Sequence, residues 1–167
     1  MHIVFVSSGL SFEYGGAAVS EASLSGELSR KREVTVLCPK GRYDAKFGKI
    51  YGLSSVKEFR LCDIISAWGD SEHWLAKLFS QALLVHINGH WRIQNYLIAR
   101  FCQRSQIPYL LHPRGMLMLN RKRPLLKRLF NILIGNEIVR NASRVIALSH
   151  YEVAQFKPYS IAEGKTI

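Results

Sequence analysis

MHIVFVSSGLSFEYGGAAVS, residues 1–20, is the stretch on which the fold turns. His2 to Val6 form an apolar, β-branched run of the kind that packs into a strand. Ser7 to Gly16 are polar and carry the pair Gly15–Gly16. A helix-like pattern starts at Ala17. Strand, glycine-bearing loop and helix together describe a βα unit able to cradle a ligand. The N–H groups at a helix start are unsatisfied and carry partial positive charge, so they attract anions. Glycine lets the backbone approach a phosphate or sugar with no Cβ in the way. The same loop also reads as a plain mobile connection, and both readings stand at this point.

Outward from this unit the pattern repeats. Strand-like runs occur at Ile3–Val6, Val34–Cys38, Val56–Leu61, Leu83–Ile87, Tyr109–His112 and Val145–Leu148. Most are continuously apolar rather than alternating, as in strands of a parallel sheet covered on both faces. Helical spacing appears over Ala17–Arg30, with Gly26 as its weak point, and over Glu72–Gln81, His90–Gln103, Pro124–Arg140 and Ser149–Phe156. Pro124 suits a first helical turn. Ser149 with Glu152 three residues on reads as a capping box. The glycine-rich, basic segment Lys40–Ser55 reads as a loop. The alternation predicts an α/β domain with a doubly wound, mostly parallel sheet, occupying residues 1–167. Ligands of such sheets bind beyond the carboxyl ends of the strands. The polar clusters at those ends are expected to converge on one edge. The closing residues, SIAEGKTI, read as the approach to a further strand.

Composition narrows the function. The chain has 167 residues, 23 basic and 12 acidic, for a net charge of +11. That balance implies an anionic partner: nucleic acid, an acidic membrane face or a phosphorylated ligand. Cys38, Cys62 and Cys102 are odd in number and show no CxxC spacing, which argues against a disulfide framework or a zinc site. The N-terminus lacks a basic leader, and no stretch approaches the ~20 apolar residues of a membrane span. A reduced, cytoplasmic setting is expected. GxGxxG and GxxxxGK[ST] are both absent, and Pro39–Lys40 follow the second strand where a dinucleotide fold needs an acid. No serine–histidine–acid triad stands out, and neither a metal nor a cofactor is expected.

Three further clusters carry chemistry. Asn88, His90 and Trp91 follow a strand, where imidazole and indole can grip a polyol; they read equally as a turn and an aromatic core anchor. His112-Pro-Arg114-Gly115 ends the next strand, and a guanidinium there can bind phosphate bidentately. Arg121, Lys122, Arg123, Lys127 and Arg128 lead into a helix rich in leucine. Anionic lipid attracts such a segment by about 1 kcal/mol per basic residue. An ordinary amphipathic helix packed on the sheet gives the same pattern.

The ordered set HIVFVSS, GGAAVSEASLSGEL, VTVLCP, LLVHINGHW, IPYLLHPRGML and ASRVIALSHYEVAQF resembles the N-terminal domain of GT-B glycosyltransferases, specifically the retaining glycosyltransferase family 4. The resemblance covers nearly the whole chain, and PRGML is similar to polysaccharide-assembly members. It implies a Rossmann-like half that binds the acceptor, with the nucleotide-sugar taken by a C-terminal half beyond Ile167. It places Gly15 and Gly16 at the donor diphosphate and acceptor. Asn88, His90, Trp91, His112, Arg114 and Gly115 would line the acceptor cleft, and Ser149 and Glu152 the interdomain edge. Where many members carry a histidine, Arg114 stands here, with His112 two residues earlier. The implied partners are a sugar or lipid-linked acceptor, a nucleotide-sugar and an anionic membrane surface on the inner face; nucleic acid is disfavoured. The 167-residue chain alone is expected to be inactive. The competing reading is a non-enzymatic basic α/β module that binds nucleic acid or a protein.

Overall fold

The computed structural model describes residues 2–117, 124–159, 161 and 164–167. The chain divides into two compact units, Met1–His86 and Ile87–Ile167.

In the first unit, β1 (His2–Val6) is buried along its whole length. It pairs in parallel with β2 (Glu33–Pro39), Ile3 opposite Val34 and Val6 opposite Leu37. β2 pairs in parallel with β3 (Val56–Phe59). The strand order there is β3-β2-β1-β4, with β4 spanning Ala82–Asn88. Ile3, Phe5, Val34, Val36 and Cys38 from the sheet meet Ala18 and Ala22 of α1 (Gly15–Ser29) in one core. The buried face of α1 is built from small or polar residues: Ala18, Glu21, Ala22, Ser25 and Gly26. Gly26 is therefore a contact point and not a weak one, since a Cβ there would stand 1.9 Å from the Tyr51 carbonyl oxygen.

Two helices lie where the sequence pattern predicts none. α2 (Ala45–Ile50) sits inside the expected loop Lys40–Ser55. Asp44 Oδ1 accepts from the Lys46 N–H at 2.8 Å and Phe47 is fully buried, so one cap and one anchor sustain a helix too short to show periodicity. α3 (Leu61–Gly69) begins just after β3, because the Arg60 N–H donates to the Asp63 carboxylate at 2.6 Å and turns the chain. This ends the expected strand Val56–Leu61 at Phe59. α4 (Trp74–Ser80) follows, with His73 Nδ1 accepting from the Leu75 N–H.

In the second unit the order is β4-β5-β6, with β5 at Tyr109–His112 and β6 at Arg144–Val145. β5 and β6 pair in parallel, Leu111 opposite Val145. The strand expected over Val145–Leu148 is short, yet backbone pairing continues from Ile146 N–H to the Leu111 carbonyl and from Ala147 N–H to that of Ile167. Thr166 bridges to Val145 in parallel. α5 (Ile93–Arg104) connects β4 to β5. The long helix predicted over Pro124–Arg140 is α6 (Pro124–Phe130), a π-turn at Asn131–Gly135 and α7 (Asn136–Asn141). Phe130, Gly135 and Asn136 keep right-handed helical angles across both junctions. The buried Tyr109 hydroxyl donates to the Ile138 carbonyl at 2.7 Å and ties α7 to β5. α8 (His150–Ala154) starts at the Ser149 cap.

Candidate functional site

In the first unit the loop after β1 is organised by its own residues. The Ser7 hydroxyl donates to Glu21 Oε2 at 3.1 Å and accepts from the Gly9 N–H at 3.1 Å. Leu10 exchanges backbone hydrogen bonds with Arg42 and Asp44, lacing this loop to the one after β2. Gly15 opens α1 with φ 65°, a left-handed angle that suits glycine. A Cβ at Gly15 or Gly16 would meet nothing within 4 Å. Tyr14 provides no side-chain cap at the start of this 15-residue helix, and the Gly15 N–H donates to the Phe12 carbonyl.

Beside this helix start lies a hollow of about 260 Å³, lined among others by Ser11, Tyr14, Arg42, Tyr43 and Asp44. The Arg42 guanidinium stands 5.8 Å from the centroid of the Tyr14 ring. Sequence reasoning missed these residues. The signal was present: SFEY and GRYD, residues 11–14 and 41–44, each follow a strand.

In the second unit the strand-end residues form a connected scaffold. Asn88 closes β4, and its Oδ1 accepts from Arg114 Nε at 3.0 Å. Asn95 Nδ2 donates to the carbonyls of Asn88 and Gly89, fixing the turn that follows. Arg114 and Gly115 both lie at positive φ, 55° and 71°. For arginine this backbone costs on the order of 1 kcal/mol or more, so its surroundings must hold it. Glu152 does so: Oε1 accepts from the Gly115 N–H at 2.6 Å and Oε2 from the Leu148 N–H at 2.8 Å. The capping box is thus half present. The Ser149 hydroxyl accepts from the Glu152 N–H, but the buried Glu152 carboxylate serves Gly115 and Leu148 instead of Ser149.

Two histidines assigned to an open cleft are buried. His90 is 0% exposed, with Trp91, Phe130 and Tyr159 ring centroids within 5.9 Å. Its Nε2 lies 3.1 Å from Asn131 Oδ1, Asn131 Nδ2 donates to the Tyr159 hydroxyl, and that hydroxyl donates to the Leu117 carbonyl. With Asn131 presenting its oxygen, His90 carries its proton on Nε2. Burial pushes its pKa down to about 4, partly countered by the Asn131 hydrogen bond. His90 therefore binds elements together and lines no open space. Burial, helped by the neighbouring Arg114 charge, pushes His112 down to about 4 as well. Trp91 is half-buried, and its indole N–H donates to the Met116 carbonyl. Trp91, Arg114 and Gly115, all half-buried, are the assigned cleft residues that reach solvent. Asn131 and Tyr159 carried no sequence signal, since each stands alone in an unremarkable stretch.

Of the basic run, Arg121, Lys122 and Arg123 lie outside the described residues; Lys127 and Arg128 are on α6. Cys38 and Cys102 are buried free thiols pushed up to about 12 by burial, and Cys62 is an exposed free thiol. Among the described residues, no three histidine, cysteine, aspartate or glutamate side chains group as a metal site, and no helix is long and apolar enough to cross a membrane.

Comparison with known proteins matches residues 15–166 to the family described as glycosyl transferase 4-like domain. No curated protein sequence matches the chain significantly. Among solved structures, the chain is similar to HepE from Anabaena in complex with UDP-glucose, at 18% identity and a TM-score of 0.68, over 100% of this chain and 43% of that one. It is similar to sucrose-phosphate synthase from Thermosynechococcus elongatus, at 15% identity and TM-score 0.66, over 100% and 47%. A third is apo WaaB, a lipopolysaccharide outer core galactosyltransferase, at 16% identity and TM-score 0.60, over 100% and 44%. The chain thus spans under half the length of each of these structures. The shared fold is the Rossmann-like half of GT-B glycosyltransferases.

Proposed function

The chain belongs to the glycosyl transferase 4-like domain family, and from that membership we propose that it is the acceptor-binding half of a retaining sugar transferase. The acceptor is a polysaccharide or lipid-linked glycan, and the donor is a nucleotide-sugar held by a second half. HepE was solved with UDP-glucose and WaaB is named for lipopolysaccharide, which supports these two classes. The bond from the anomeric carbon to the leaving diphosphate breaks as the acceptor oxygen bonds on the same face. The acceptor proton passes to a diphosphate oxygen, so no metal or protein base is required. The enzyme works in the cytoplasm, peripheral to the inner membrane face.

Each unit contributes its own part. In the first, the bare backbone at Gly15–Gly16 and the uncapped start of α1 suit a diphosphate. The adjacent hollow offers the Tyr14 and Tyr43 rings with Arg42 and Asp44 to a sugar. In the second, Arg114 presents a fixed cation at the end of β5.

The observation that carries this reading is Arg114 in a left-handed backbone, its Nε donating to Asn88 and the adjoining Gly115 N–H donating to Glu152. Strain of that kind persists where a side chain must point in one direction. The test is nucleotide release by the full-length protein with a panel of nucleotide-sugars and glycan acceptors. Arg114→Ala lowers kcat about 100-fold, the loss typical of removing one preorganised charge-stabilising donor, and Arg114→Lys recovers part of it. Wild-type turnover in Arg114→Ala, at unchanged melting temperature, overturns the assignment.

A further inference from the structure

Residues 11–14 and 41–44 wall one hollow in the first unit, and its aromatic rings are fixed in place by their neighbours. Tyr14 packs over Gly9, where a Cβ would strike the ring. Tyr43 packs over Gly48 of α2 in the same way. Phe12 stands in the same wall. Its ring centroid lies 4.9 Å from that of the fully buried Phe47, at 82°, and 6.5 Å from that of Tyr51. Phe47 and Tyr51 in turn meet at 4.7 Å. Phe12 is nonetheless 57% exposed. A lone exposed phenylalanine needs no explanation. One braced by two rings, in the wall of a hollow that already holds two locked tyrosines, is a preset contact surface. Rings held this way lose little freedom when a ligand covers them, so little of the stacking energy is spent on ordering.

Size and charge define what that surface takes. The hollow holds about 260 Å³, below the roughly 300 Å³ at which sites for drug-sized ligands begin. It has room for one sugar ring and not for two. A second ring continuing the chain toward solvent meets the exposed part of Phe12. Arg42 is matched by Glu13 and Asp44 in the lining, and its Nη1 donates to the Ser8 carbonyl at 3.4 Å while its guanidinium faces Tyr14. Nothing in the hollow favours an acidic sugar. The electron-rich faces of the three rings suit the C–H face of a neutral pyranose instead.

We propose that Phe12 is a specificity-determining residue: a platform for the second sugar of a neutral acceptor chain, which makes the protein prefer an acceptor of at least two units to a single one. This assignment of length and charge rests on the transferase reading above. Glycan binding is measured without donor, and nucleotide release from the donor with water as acceptor scores the transferase reading separately on the same wild-type protein.

The test is calorimetric titration of the full-length protein with neutral gluco- and galacto-configured methyl glycosides, with the matching disaccharides and tetrasaccharides, and with a disaccharide carrying a uronic acid. In at least one neutral series the disaccharide binds about tenfold tighter than the methyl glycoside. F12A removes that advantage and leaves the methyl glycoside within about twofold of wild type. F12W restores the advantage, which a misfolded hollow would not allow. Four results overturn the proposal: F12A keeps the preference for the disaccharide, no saccharide of either series binds, the uronic acid disaccharide binds tighter than the neutral ones, or the wild type is a dimer that F12A converts to monomer. The last would assign Phe12 to a second copy of the chain.

Discussion

The turn at Gly15 and the turn at Arg114–Gly115 both hold backbone in the left-handed region, and they reach it by opposite means. Gly15 has no Cβ and nothing within 4 Å of where one would stand, so its φ of 65° is free of strain. Arg114 has a side chain and adopts a φ of 55° all the same. Its turn is held by the Asn88 amide oxygen on one side and the buried Glu152 carboxylate on the other. A turn made by removing atoms is open and adaptable. A turn made by imposed hydrogen bonds presents a single side chain in a single direction. The first suits a site that lets a ligand approach the backbone; the second suits one that aims a charge.

The largest effect expected from breaking this contrast is on Glu152. Glu152→Ala orphans the Gly115 and Leu148 N–H groups and releases the strained turn. The expected loss is about 3 kcal/mol, or a melting temperature lower by about 10 °C. A fall of under about 2 °C would mean the turn holds itself.

Acid probes the same unit. His90 and His112 titrate near 4 in the folded protein against an ordinary 6.5. Between those values the unfolded chain binds more protons than the native state, so stability rises with pH across the window. It is full above about 6.5, falls as pH drops and levels off near 4. Both histidines together remove about 2 kcal/mol between pH 6 and pH 5. Denaturant midpoints at the two pH values check this, and His90→Gln halves the slope. A pH-independent midpoint contradicts buried neutral histidines.

The glycines give the smallest changes in stability and the cleanest separation of fold from function. Gly15→Ala costs about 1 kcal/mol, since alanine resists the left-handed angle. Gly16→Ala stays within about 0.5 kcal/mol of wild type, having no positive φ and no neighbour to strike. If the bare backbone serves a ligand, Gly16→Ala in the full-length protein keeps its melting temperature and still raises KM for the donor. Unchanged kinetics would reduce Gly15–Gly16 to a plain connection.

Much of the architecture was legible because it depends on local pattern. β1, β2, β4 and β5 lie where continuous apolar runs predict them, within a residue or two at each end. α2 and α3 were hidden because each depends on a single cap, Asp44 or Asp63, and not on a long periodic face. Gly26 looked like a flaw in α1 because its reason, the Tyr51 carbonyl, lies outside the helix. His90 looked like a cleft residue because it follows a strand. Gly89, at φ 82°, turns the chain at this point, and the imidazole sits in the interior beside Asn131 and Tyr159. The apolar residues of α6 read either as an interfacial stripe or as the face that packs on the sheet, and the structure turns Leu125, Leu126 and Leu129 to solvent.

What the amino-acid order determined by itself is the parallel α/β plan, since strands that must be covered on both faces announce themselves by unbroken hydrophobicity. It also determined the basic balance and the bare glycine pair. Only the tertiary structure decided which polar groups meet. Arg114 reaches Asn88 across 26 residues, and Gly115 reaches Glu152 across 37. No local rule encodes such partners, because a hydrogen bond is selected by the positions of two atoms after the sheet has formed. The outward leucine stripe was decided the same way: the depth and rotation of that helix are set by Asn131 wedged between His90 and Tyr159.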